Sequence, residues 1–313
     1  MNPMVFLFPG QGSQEVGMGQ DLFQEHAFVR EIFEMTDEVC KARISRLCFQ
    51  GPMEELTATV ALQPAITAVN LSCLFAIRQL SGLCPAMAAG HSLGEYSALC
   101  CAGAFSAHDT LRLVFRRGEL MHAASLENPG TMHAVMGLAM EQVQEITQKA
   151  RAAGPVSVAN HNTKTQIVIT GSVPGVEKAS EMAKQAGARV VPLPVSGAWH
   201  SQLMEKAAVK FADFLSTFAF HKPAIPVVTN VMAEPCEDGP SLAQIMSRQL
   251  ISPVRWYDGV LAMAGAGARV FVEVGPKNVL SGMVKKILPR DGDFKIYSVG
   301  DLKSLEDFLK KEA

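Results

Sequence analysis

The sequence holds no C-x-x-C pair and no H-E-x-x-H, and its eight histidines show no other metal-ligand spacing, so a metal site is not expected. Its seven cysteines are an odd number, which argues against a disulfide framework and for reduced thiols in a cytoplasmic protein. Excess positive charge is missing as well. The formal net charge is −2, which leaves no basic field to hold nucleic acid. No apolar run is expected to reach the length of a membrane span. The short run Met4–Phe8 is cut by Pro9-Gly10 and lacks a basic flank, so it does not read as a signal peptide. Repeats, low-complexity tracts and long linkers are absent. What remains is 313 residues, 48% hydrophobic and 19% charged, enough for one large domain or two modest ones.

Against this plain background one pentapeptide stands out. Gly90-His91-Ser92-Leu93-Gly94 fits Gly-x-Ser-x-Gly, the turn that puts a serine on a sharp strand-to-helix corner with its hydroxyl exposed. Glycines are needed there because the corner brings backbone segments too close for a Cβ. Upstream, Pro85–Ala89 reads as a short buried strand of poor β propensity. Downstream, Glu95–Ala104 reads as a buried helix ending at Gly103. Strand, turn and helix are the context a nucleophilic Ser92 requires.

The rest of the chain alternates. Val5–Phe8 is a strand followed by a Gly-rich loop, whose glycines at 10, 12 and 17 miss dinucleotide-binding spacing. Helices are predicted at Asp21–Lys41 and Pro64–Leu80, and Ser106–Asp109 reads as a capping box opening a helix through Ala124. Strand, helix, strand, strand, helix and strand then follow between Met132 and Leu193, the ferredoxin-like order in about seventy residues. A helix is predicted from Ser201 to Phe218, and strands at Pro226–Val231, Val270–Val274 and Ile296–Val299. Together they point to a parallel α/β core carrying an insertion.

A serine nucleophile needs a base. His200 is the candidate, in a loop just before the helix at Ser201, where a helix N-terminus would keep the imidazole neutral. A capping or core histidine is the alternative. No acid signature leads to His200, so the base would be oriented by something other than a carboxylate. Arg117 is the third residue of interest. Its i±3 and i±4 neighbours are Leu113, Val114, Leu120 and Met121, so it points inward, whereas Arg116 has Arg112 and Glu119 beside it. A buried guanidinium needs a partner, either a structural carboxylate or the carboxylate of a substrate.

Several separate motifs then fall in one order: Gly10-Gln-Gly-Ser-Gln14, Gly90–Gly94, Arg117-Gly118, Val195-Ser-Gly-Ala-Trp-His200, Arg248-Gln-Leu250 with Pro253-Val254, and Glu273-Val-Gly-Pro276. From the first strand to about Leu288 the chain resembles the malonyl-CoA:acyl carrier protein transacylases. The resemblance implies an α/β-hydrolase-like core, residues 1–125 and 195–313, with a ferredoxin-like subdomain at 126–194. It implies that Ser92 is acylated, that His200 is its base and that Arg117 holds the malonyl carboxylate. The backbone N–H groups of Gln11 and Leu93 would form the oxyanion hole, and a main-chain carbonyl near Gln249 would orient His200. His91 and the pair Asn160 and Asn162 would have supporting roles. Trp199 departs from the Ser or Phe usual before the histidine, and its larger ring should favour malonyl over branched extender units.

The substrate would be malonyl-CoA and the partner an acyl carrier protein bearing phosphopantetheine, with no cofactor bound to this chain, which would act as a monomer. Carrier proteins are acidic, so Lys277, Lys285, Lys286 and Arg290 are candidates for docking, against the reading of a solvated face. Other readings of the same residues are a carrier-protein thioesterase or acyl hydrolase, a malonate-loading subunit of a malonate decarboxylase, and an inactive docking module. The acyl hydrolases tend to lack the arginine.

Overall fold

Val5, Phe6, Leu7 and Phe8 are fully buried, as a strand covered on both faces must be. The computed structural model describes residues 3–312. In chain order its elements begin with β1 (Met4–Phe8), α1 (Gln20–Glu25), α2 (Ala27–Cys40), α3 (Ile44–Gln50), α4 (Met53–Thr57), α5 (Thr59–Ser81) and β2 (Met87–Gly90). Next come α6 (Gly94–Cys101), α7 (Ala107–Glu127), β3 (Thr131–Met136), α8 (Met140–Ala150), β4 (Val156–Thr163), β5 (Gln166–Gly171), α9 (Val173–Gln185) and β6 (Arg189–Pro192). The remainder is α10 (Glu205–Leu215), β7 (Val227–Val228), β8 (Pro235–Cys236), α11 (Gly239–Met246), α12 (Trp256–Gly265), β9 (Val270–Val274), α13 (Val279–Ile287), β10 (Lys295–Val299) and α14 (Leu302–Glu312).

One sheet runs β10-β9-β1-β2-β7-β8, with every neighbour parallel except the closing β7–β8 pair. The register sets Phe8 beside Gly90. The loop after β1 and the serine turn after β2 therefore leave the same carboxyl edge side by side, where open α/β sheets bind ligands. β2 forms despite its poor propensity because it is paired on both sides.

The second sheet runs β4-β5-β3-β6, antiparallel throughout. That is the ferredoxin-like order, with α8 and α9 as its two helices. Alternation divides its faces. Val135, Ile167 and Ile169 pack with these helices, whereas Met132, Ala134 and Val168 join the main core. Strand β4 is also stitched to a distant segment: Val254 donates to Ala159 O and His161 donates to Val254 O.

Several expectations need correction. The helix expected over Asp21–Lys41 is two, broken at His26, whose backbone is extended; Arg30 turns back to donate to Phe23 O and Gln24 O at the break. Helix α5 starts at Thr59, five residues before the expected Pro64, because packing on α2 and α7 outweighs the lost proline N–H. At 23 residues it is long and apolar enough to cross a membrane, contrary to the expectation of no such run. It is a core helix, mostly buried, and it carries Gln63, Thr67, Asn70 and Ser72 inside the fold. The strand expected at Pro226–Val231 shrinks to Val227–Val228, because Asn230 leaves the sheet to meet the serine turn.

Candidate active site

The serine turn is as tight as its sequence demands. A Cβ on Gly90 would collide with the backbone of Gly94, and one on Gly94 with the carbonyl of Phe8. Ser92 itself sits at φ +50°, a left-handed conformation that costs a non-glycine residue on the order of 1 kcal/mol or more. The surroundings hold it there: Asn230 Oδ1 accepts from Ser92 N–H at 2.7 Å, and Gln249 Nε2 donates to Ser92 O at 2.9 Å. The loop after β1 closes on the turn, so that a Cβ on Gly10 would lie 2.5 Å from His91 O and 3.5 Å from Leu93 N. The backbone N–H groups of Gln11 and Leu93 have no hydrogen-bond partner among the described residues.

His200 comes from the far side, 108 residues along the chain, with Nε2 at 2.7 Å from Ser92 Oγ. Its Nδ1 faces two backbone carbonyls, Gln249 O at 3.1 Å and Ser252 O at 2.9 Å. Carbonyls only accept, so Nδ1 carries the proton and Nε2 presents its lone pair to the serine. Among the described residues no carboxylate bonds to the ring. The predicted helix at Ser201 is a 3-10 turn, Gln202–Met204, and α10 begins only at Glu205. Burial keeps the imidazole neutral, with the Arg117 charge adding to it, and the pKa is pushed down to about 3. Because the folded pKa lies below the ordinary 6.5, the unfolded chain takes up this proton first, and this contribution to stability is lost as pH falls from about 6.5 toward 3. An NMR titration of His200 is expected to show no protonation between pH 8 and about 5. A midpoint near 6.5 would contradict the buried, neutral ring.

Arg117 projects from the middle of α7 and is 1% exposed. Its hydrogen bonds go to neutral acceptors: Gln63 Oε1 at 3.0 Å, Ser92 Oγ at 3.1 Å and Gln249 Oε1 at 3.2 Å. The Tyr96 ring lies 5.6 Å from its guanidinium carbon. Burial works against its charge, with Tyr96 and Glu95 acting the other way. Gln249 thus does more than lend a carbonyl to His200, since its amide bridges Ser92 O, Arg117 and Glu95.

Around this centre lies a small cavity lined by Gln11, His91, Ser92, Leu93, Arg117, Asn160, Trp199 and His200, and closed by Met132, Leu193 and Val195 from the second sheet and its exit. His91 does not touch Ser92; its Nε2 is 2.8 Å from Asn162 Oδ1 and its ring packs on Trp256. Asn160 lines the cavity with a buried Oδ1 that has no hydrogen-bond partner among the described residues. Trp199 is buried with its ring against Gly197. A larger cleft, about 810 Å³, lies between the loop after β1 and the ends of β9 and β10, and none of these residues lines it. Among the described residues no cluster of three or more His, Cys, Asp or Glu could hold a metal ion.

Sequence reasoning missed Gln63, Glu95, Asn230 and Ser252. For Glu95 a signal existed: its i+3 and i+4 neighbours are Ala98 and Leu99, the apolar setting that marked Arg117. Glu95 is fully buried at the start of α6, and its carboxyl is pushed up to about 7 by that burial, with hydrogen bonds from Gln249 and Asn230 and the Arg117 charge opposing. Ser252 offers only a main-chain oxygen, which no side-chain pattern reveals.

The family model for the acyl transferase domain matches residues 5–309. Malonyl CoA-acyl carrier protein transacylase of Bacillus subtilis (strain 168) is 40% identical over 308 residues, covering 98% of this chain and 96% of the relative. The enzyme of the same name from Escherichia coli (strain K12) is 40% identical over 289 residues, 92% and 94% of the two chains. Among solved structures, an acyl carrier protein S-malonyltransferase from Vibrio cholerae superposes with a TM-score of 0.93 at 38% identity, over 98% of this chain and 99% of the other. A malonyl-transacylase solved in complex with its type II PKS acyl-carrier protein gives a TM-score of 0.94 at 36% identity, over 99% and 100%. The chain belongs to the acyl transferase domain family, among the malonyl CoA-acyl carrier protein transacylases.

Proposed function

We propose that this chain moves a malonyl group from malonyl-CoA to the phosphopantetheine thiol of an acyl carrier protein, through an ester on Ser92, for fatty-acid or polyketide synthesis. One observation carries the reading: a single hydroxyl, Ser92 Oγ, lies 2.7 Å from His200 Nε2 and 3.1 Å from Arg117 Nη2. A malonyl thioester has its carboxylate one methylene from the reacting carbonyl. A base and a fixed cation converging on one nucleophile suit that molecule and not a simple acyl chain.

In the first half-reaction His200 Nε2 takes the hydroxyl proton as Ser92 Oγ attacks the thioester carbonyl. The developing oxyanion sits against the free N–H groups of Gln11 and Leu93. The C–S bond breaks, the CoA sulfur receives the proton from His200, and malonyl remains on Ser92. The carrier thiol then gives its proton to His200 and attacks the ester carbonyl, and the C–O bond breaks as Ser92 recovers its proton. Two similar steps make a ping-pong transfer. Arg117 holds the malonyl carboxylate, His91 and Gln249 keep the turn and the guanidinium in place, and Trp199 crowds the acyl Cα against branched groups. The same proposal assigns residues 1–125 and 195–313 to the catalytic core and 126–194 to the subdomain that closes the cavity. Seven free cysteines support a cytoplasmic setting, and the chain is proposed to act as a monomer.

Intact-mass measurement with malonyl-CoA, followed by addition of holo acyl carrier protein, tests the reading. The chain is expected to gain one malonyl group and then to pass it on; loss of the group to water instead would make it a hydrolase. For the carrier, Lys277, Lys285, Lys286 and Arg290 are all exposed. Reversing the charge of Lys285 and Lys286 is expected to raise the carrier KM severalfold at low salt and less at high salt. An unchanged KM at low salt removes this patch as the docking surface.

A further inference from the structure

Glu95 does not line the cavity, yet its hydrogen bonds lead through Asn230 and Gln249 to Ser92 and Arg117, which do. Its Oε1 accepts from the Asn230 backbone N–H at 2.8 Å, and its Oε2 accepts from Gln249 Nε2 at 2.6 Å. Each partner then turns to the serine. Asn230 accepts from Ser92 N–H and donates through Nδ2 to Gly90 O at 2.6 Å. Gln249 donates to Ser92 O through the same Nε2 and accepts from Arg117 through Oε1.

The amide of Gln249 is the directional link in this chain of bonds. With its NH₂ held by two acceptors, Glu95 Oε2 and Ser92 O, its oxygen faces the guanidinium. Rotated by half a turn, it would aim N–H groups at Arg117 and oxygen at the Glu95 carboxyl, unfavourable on both sides. We propose that Glu95 is a positioning residue for acyl selectivity: by fixing the amide of Gln249 it holds Arg117 where the malonyl carboxylate binds. The inference rests on the malonyl transfer proposed above.

The test is the ratio of malonyl to acetyl kcat/KM in three variants beside the wild type. Glu95→Gln keeps the shape but offers an NH₂ where two donors need acceptors, so one link fails and the Gln249 amide is free to turn. The ratio is expected to fall roughly tenfold, chiefly through the malonyl-CoA KM. Gln249→Ala, which retains the main-chain carbonyl to His200, is expected to lower the ratio similarly. In the double variant Glu95→Gln/Gln249→Ala the ratio should fall no further than in Gln249→Ala alone, because the two residues act in series. A folded Glu95→Gln with the wild-type ratio, or single effects that multiply in the double variant, would overturn the proposal. If Glu95→Gln does not fold, Gln249→Ala decides: an unchanged ratio overturns it, a reduced ratio upholds the link. A wild-type chain with no preference for malonyl would sink the functional reading as well, whereas a preference that survives every variant sinks this inference alone.

Discussion

Incubated with malonyl-CoA, the wild-type chain is expected to gain one malonyl group, mapped to Ser92, and Ser92→Ala to gain none. The cause is local. Ser92 Oγ is the atom on which the His200 lone pair and an Arg117 N–H converge. Alanine keeps the Gly90 and Gly94 contacts that shape the turn, and its backbone must adopt the same φ of +50°, so the variant should fold. Transfer should fall by on the order of 10⁴-fold or more, the scale seen when a nucleophile is removed from a preorganised site. His200→Ala should slow acylation by about 10²- to 10⁴-fold, since it removes the base and leaves the hydroxyl. An adduct on Ser92→Ala at the wild-type level would place the nucleophile elsewhere and end this account of the site.

Arg117→Ala should give a crossover in substrate preference. The guanidinium is 1% exposed and, among the described residues, hydrogen-bonded only to neutral acceptors, so a substrate carboxylate adds the anion that its charge calls for. Removing it should cost malonyl transfer about 3–5 kcal/mol in kcat/KM, the usual loss when one partner of a buried charge pair goes. Acetyl transfer should hold steady or rise, for two reasons. The penalty for leaving Arg117 without a counter-ion disappears, and the Arg117 charge that adds to burial in holding the His200 pKa down is removed, which leaves a stronger base. Equal loss of both substrates in a folded variant would make Arg117 a structural cation that keeps Gln63 and Gln249 in register. Arg117→Lys is expected to recover only part of the preference, because a single ammonium cannot span Gln63, Ser92 and Gln249 with the geometry of a planar fork.

Features decided within one turn or one strand could be read directly from the chain. The spacing of glycines around Ser92 implied a corner without room for side chains, and Cβ atoms on Gly90 and Gly94 would indeed strike backbone. Apolar neighbours at helical spacing predicted that Arg117 is buried, because which side of a helix faces the core depends only on the 3.6-residue period. Ser106 caps α7 through Asp109 N–H as its local pattern required. The order β-α-β-β-α-β was legible for the same reason, since each element carries its own periodicity.

Tertiary structure decided whatever depends on pairs far apart in sequence. His200 meets Ser92 across 108 residues, Gln249 meets Glu95 across 154, and Asn230 reaches the serine turn across 138. Nothing local reports such distances. The same holds where packing overrode local preference: Pro64 lies inside α5, β2 forms from Met87-Ala-Ala-Gly90, and a helix apolar enough for a bilayer is enclosed by the fold. The arrangement of β1 between β2 and β9 brings the Gly10 loop against the serine turn, because strands paired in parallel must send their following loops to one edge. The sequence alone determined which residues could carry the chemistry, through residue type and local period. Their convergence within about 3 Å of one hydroxyl belongs to the fold, because hydrogen bonds between distant segments form only after the sheet has set the positions of their backbones.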